Sequence, residues 1–171
     1  MNMVTNWRNT GNTRMHLKQL LQEELKEVYS AEKQLILGMK KFAEEAISPQ
    51  IQSTFLGYAD DGALQIEKLK IVFSNMDLPA FGKKCKTMEG LLLEAEDRIA
   101  NFAGNAMLDA ALIALVQKIK HYEIAAYGTM HAYAQMMDMD NAAALFNEIL
   151  CAEKSADQQL TALALNFANR K

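Results

Sequence analysis

The sequence predicts an all-α four-helix bundle. Three observations carry that prediction: four long segments with apolar residues at helical spacing, few helix breakers, and one long link between the second and third segments. Of the 171 residues, 50% are apolar or aromatic, and only 8 are Gly and 2 are Pro. This content suits one domain with a single core. Leu, Ala and Met dominate and β-branched runs are absent, so propensity favours helix and no sheet is expected.

Residues 1–12 are polar and rich in Asn and Thr, and read as a flexible tail ahead of a single bundle domain over 13–171. The first long helix is expected from about Arg14 to Ala46, through Leu17, Leu21, Leu25, Val28, Leu35, Ile36, Met39 and Ala43. Ser48-Pro49 supplies an N-cap and a first-turn proline for a second helix, about Pro49 to Asn75, whose stripe is Phe55, Ala59, Ile66, Leu69, Phe73 and Met76. The short turn between them makes the two antiparallel. The pattern breaks at Leu78-Pro79-Ala80-Phe81-Gly82, after which Thr87 is expected to cap a short helix reaching about Asn101. Gly104-Asn105 punctuates again. A third long helix, about Ala106 to Met137, and a fourth, about Asn141 to Asn169, follow with a turn at Asp138 to Asp140. Two helical hairpins joined by one long crossover that contains a short extra helix make the ferritin-like variant of the four-helix bundle.

The formal net charge is -3 and both signs are interspersed, so no basic stripe exists to neutralise nucleic-acid phosphates. No apolar run reaches the roughly 18–20 residues that span a bilayer, and the first residues lack the apolar segment of a secretory signal. A cytoplasmic protein without nucleic-acid or membrane partners is expected. Cys85 and Cys151 form no C-x-x-C motif and read as reduced packing residues.

The informative anomalies are carboxylates on apolar stripes. Glu32 has Val28 and Ile36 one turn away and Leu25 and Met39 two turns away, so its side chain is expected to face the core. Glu123 interrupts Val116, Ile119, Ala126 and Met130, and Glu153 falls between Phe146, Ile149, Ala156 and Leu160. On the second helix Asp60, flanked by Leu56 and Ala63, is the expected counterpart, with Asp61 as the fallback. All four lie near the middle of their helices, and midpoints of packed helices meet at one level. Inward carboxylates at one level repel, and each costs several kcal/mol to desolvate unless compensated. A pair of divalent cations would compensate, as in di-iron and di-manganese bundles. Protonation through raised pKa values, or pairing with a lysine such as Lys120, would do so without metal. Tyr29 and Tyr127, within one turn of Glu32 and Glu123 respectively, are candidates to hydrogen-bond those carboxylates. None of the three histidines lies on the face and at the level a ligand needs.

Four blocks, Tyr29-Ser-Ala-Glu-Lys-Gln-Leu35, the stretch CKTMEGLLLE from Cys85 to Glu94, Asp109-Ala-Ala-Leu-Ile113 and His121-Tyr-Glu-Ile-Ala-Ala-Tyr-Gly128, occur in an order that resembles the YciE/YciF family of ferritin-like proteins. The resemblance runs from about Leu17 to Asn169. It implies a ferritin-like fold, a homodimer and an association with bacterial stress responses. It also implies candidate metal positions at Glu32, Asp60, Glu123 and Glu153, with Asp157 a further one, for oxygen, peroxide or iron chemistry. Where members of the family often present Glu-x-x-His on the second helix, this chain has Asp60 and Ala63. The site is therefore open to iron or manganese, to another divalent cation, or to vacancy. The competing reading is a non-catalytic dimeric scaffold with a relic, metal-free site, in which small residues of the third helix (Ala110, Ala111, Ala114, Ala125, Gly128) pack against a second subunit.

Overall fold

The computed structural model describes residues 11–168, which form α1 (Gly11–Glu45), α2 (Pro49–Asn75), α3 (Lys86–Phe102), α4 (Met107–Met136) and α5 (Asp140–Ala168), with no strand among them. α1 pairs with α2 and α4 with α5 as antiparallel hairpins, while α3, inside the crossover, lies against α4 and α1. The expected ferritin-like bundle and its extra crossover helix are thus present. α1 starts at Gly11, so residues 11 and 12 are helical rather than part of a tail. Residues 1–10 and the expected end of the last helix at Asn169 lie outside the described residues.

The helix ends show how the chain turns. Asp77 and Asp138 follow the last turns of α2 and α4 with positive φ, 55° and 58°. Leu78 N donates to Phe73 O at 2.9 Å and Met139 N to Ala134 O at 2.9 Å, closing each end with the 6→1 bond of a Schellman motif. Aspartate tolerates this left-handed conformation better than most side chains, which suits it to a position where glycine is usual. Cys85, not Thr87, caps α3: its Sγ accepts the Met88 N–H at 3.3 Å, because the helix begins two residues earlier than expected. Ser48 occupies the N-cap of α2 without a side-chain cap bond. Buried Asp109 of α4 instead accepts Ile47 N at 2.7 Å and Ser48 N at 2.9 Å, tying the α1–α2 turn to the second hairpin.

Two apolar clusters fill the bundle. One gathers Met39, Phe42, Phe55, Leu112 and Leu160, and the other Leu25, Val28, Phe73, Met130 and Phe146. Along each long helix these residues stop short of the same middle turn, and the polar groups described next occupy that level.

Candidate functional site

Glu32, Glu123 and Glu153 are all turned inward, only 1%, 2% and 2% exposed. The stripe that each interrupts continues in apolar residues on both sides, so helical phase alone drives them in. Lys120, one turn before Glu123 on α4 and 3% exposed, places its Nζ 2.9 Å from Glu123 Oε2 and 2.6 Å from Glu153 Oε2. Both are ion-pair contacts, although neither oxygen receives a well-directed hydrogen bond. The ammonium also lies 5.0 Å from the centre of the Tyr58 ring, which adds a cation–π contact from α2. Tyr58 donates its own hydroxyl proton to Ala156 O at 3.2 Å. Tyr127 donates to Glu32 Oε1 at 2.5 Å, and Gln65 Nε2 donates to Glu153 Oε1. α1, α2, α4 and α5 therefore each contribute a side chain to one buried polar layer.

Burial raises Glu32 from its ordinary 4.5 to about 7, against the Tyr127 hydrogen bond that favours its ionised form. The charge of Glu153 pushes Glu32 further up, while Lys120 pulls it down. Glu123 is raised well above the usual range, by burial first, with Lys120 pulling the other way and the charges of Glu32 and Glu153 pushing it further up. Burial by itself would lower the Lys120 ammonium, but the Glu123 and Glu153 charges outweigh it and hold lysine charged. Burial and the neighbouring Glu32 likewise keep the Tyr127 phenol protonated, as a donor must be.

The other expected site residues fall elsewhere. Asp60 and Asp61 are exposed on the outer face of α2 together with Leu56 and Ala63. The buried face of that helix follows Phe55, Tyr58, Gly62, Gln65 and Leu69, and Asp60 lies 100° beyond its nearest buried neighbour, Ala59. Gln65 takes the place that the sequence reading gave to Asp60. It sits at i+7 from Tyr58 and i−4 from Leu69, a signal that a search confined to carboxylates passes over. Asp157 is half-buried at the α4–α5 seam, where His121 Nε2 and Gln117 Nε2 approach its Oδ1 at 3.4 Å each, and it stands outside the polar layer. The Tyr29 ring packs edge-on against Phe73 with centroids 5.3 Å apart. Tyr127 serves Glu32 across the helix interface rather than Glu123 on its own helix. Cys85 and Cys151 are free thiols, the first buried and the second exposed.

A family described as "Domain of unknown function (DUF892)" matches residues 16–171. The chain belongs to this family. Protein YciF of Escherichia coli (strain K12) is 40% identical to it over 148 residues, covering 86% of this chain and 89% of YciF. The crystal structure of the E. coli stress protein YciF superposes with a TM-score of 0.87 at 37% identity, covering 91% of this chain and 98% of that one. YcfI, a putative structural protein from Rhodopseudomonas palustris, superposes with a TM-score of 0.82 at 31% identity, covering 85% and 92%. In this DUF892 chain the donor set does not fit a di-metal pair. The buried lysine holds a positive charge between two of the three inward carboxylates, the second helix offers an amide in place of a carboxylate, and no imidazole faces the layer. Among the described residues, no three His, Cys, Asp or Glu side chains are grouped to hold one ion.

Proposed function

We propose that this chain is a non-catalytic structural protein of the bacterial stress response, a homodimeric helical scaffold whose core carboxylates need no metal. The observation that supports it best is the Lys120 ammonium between Glu123 and Glu153, with burial pushing Glu32 and Glu123 toward their protonated forms. An ammonium, together with carboxyls that burial pushes toward the neutral form, provides the compensation that two divalent cations would otherwise supply. The descriptions of the two structural relatives, a stress protein and a putative structural protein, agree with a scaffold role. A second copy has an apolar stripe to cover on the outer face of α2, where Leu56, Leu64 and Ile71 are exposed within one 80° sector (about 100° per residue). Ala114 and Ala125 of α4 are exposed as well, and leave room for close helix approach.

The test is elemental analysis of protein produced with added iron and manganese and purified without chelator, with light scattering and assays of ferroxidase and peroxidase turnover on the same sample. Substoichiometric metal, no turnover and a dimer mass are expected. Stoichiometric iron or manganese, or turnover above a blank, would overturn the scaffold reading in favour of oxygen or iron chemistry, and a monomer mass would remove the homodimer.

A further inference from the structure

Resting on the metal-independent reading above, we infer that Lys120 is the resident cation of the core: its ammonium fills the space between Glu123 and Glu153, so that the inward carboxylates do not group around one divalent ion as they stand, and it keeps that ion out. Nζ is held from three helices, by Glu123 on α4, Glu153 on α5 and the Tyr58 ring on α2. Around it, Glu32 Oε2, Gln65 Oε1, Glu123 Oε2 and Glu153 Oε2 are all buried without a hydrogen-bond donor. These four oxygens come from four helices, and Gln65–Glu153, Lys120–Glu153 and Lys120–Glu123 contacts already join three of their side chains to one another. A set made only of carboxylate and amide oxygens suits Mn2+ or Mg2+ and lacks the nitrogen and sulfur that softer metals prefer. Among the described residues, the Lys120 ammonium is the positive charge that acts on Glu32 and Glu123. A divalent ion among the same oxygens would face that fixed charge at close range in a low-dielectric interior, and the repulsion disfavours joint occupancy.

Neutralising the lysine therefore converts a lysine-filled layer into a divalent-cation site. Chelator-treated wild type and Lys120→Met are dialysed against Mn2+ alone, and bound metal and melting temperature are read for each. Wild type is expected to retain no Mn2+ and to show no shift. Lys120→Met is expected to melt lower without metal, to take up about one Mn2+ per chain, and to gain about 5–10 °C in near-saturating Mn2+. Adding Glu153→Gln to Lys120→Met is expected to abolish the uptake. Lys120→Gln, which retains a hydrogen-bond donor toward Glu153, provides a folded comparison if the methionine variant is not helical without metal, and is expected to bind Mn2+ as well. Wild type without metal alongside two lysine variants that also stay metal-free, even when refolded in Mn2+, overturns this inference and leaves the scaffold reading intact. Wild type that takes up Mn2+ as tightly as the variants overturns both.

Discussion

Glu32 is the residue whose ionisation the surrounding fold opposes most legibly, and that opposition has a sign. Its folded pKa is raised from 4.5 to about 7, so between those values the folded chain binds more protons than the unfolded one. Stability is then greatest below about pH 4.5 as far as this group is concerned, and falls as pH rises toward 7. A shift of this size is worth about 3 kcal/mol. Glu123, also raised, acts in the same direction. Chemical denaturation at pH 5 and pH 8 is expected to show the loss, and Glu32→Gln, which keeps an acceptor for Tyr127, is expected to flatten it. An unchanged slope in that variant would mean that other groups dominate. Tyr127 shows why position outranks proximity in sequence: it is one turn from Glu123, yet its hydroxyl reaches Glu32 on another helix.

At the scale of elements, the decisive feature is how one helix is locked to another. Asp109 on α4 accepts both backbone N–H groups of the α1–α2 turn, a link across 61 and 62 residues of sequence. Replacing it with alanine leaves two part-buried donors without their partner; an unsatisfied buried group costs about 1–3 kcal/mol, and partial access to water puts these two toward the low end. Asp109→Ala is therefore expected to destabilise the fold by about 2–4 kcal/mol, within the usual range for losing a buried cap and its network. Asp109→Asn retains one acceptor oxygen and is expected to lose less. Urea unfolding checks both, and equal losses in the two variants would show that packing, not hydrogen bonding, sets the cost. Asp109 stands in a block that carried the family resemblance, yet its task was invisible there, because the turn it caps lies on a different hairpin. The second helix shows the same limit. Its boundaries, Pro49–Asn75, were read correctly from Ser48-Pro49 and the apolar stripe, while the residue it sends to the centre is Gln65 rather than Asp60.

On the scale of the molecule, two apolar clusters enclose one polar layer, and the layer carries its own counter-charges. On the proposed function, a bundle held in this way folds without metal, whereas a protein that binds a metal only when folded gains RT ln(1 + [L]/Kd) and loses it to a chelator. EDTA is accordingly expected to leave the thermal midpoint of the purified protein unchanged within about 1 °C. A drop of several degrees, restored by iron or manganese, would contradict the proposed function directly.

The division between sequence and structure follows from the range of the forces involved. Helical phase is a property of neighbours three and four residues apart, so the five helices and the inward turn of Glu32, Glu123 and Glu153 were all legible along the chain. Lys120 was legible as an example of a lysine that could pair with the inward carboxylates. Which oxygen meets which donor depends on how far each helix is rotated and shifted against its neighbours. Only the packed structure determined that an ammonium, an amide and a phenol surround these carboxylates, and that Asp60, 100° out of phase, faces away.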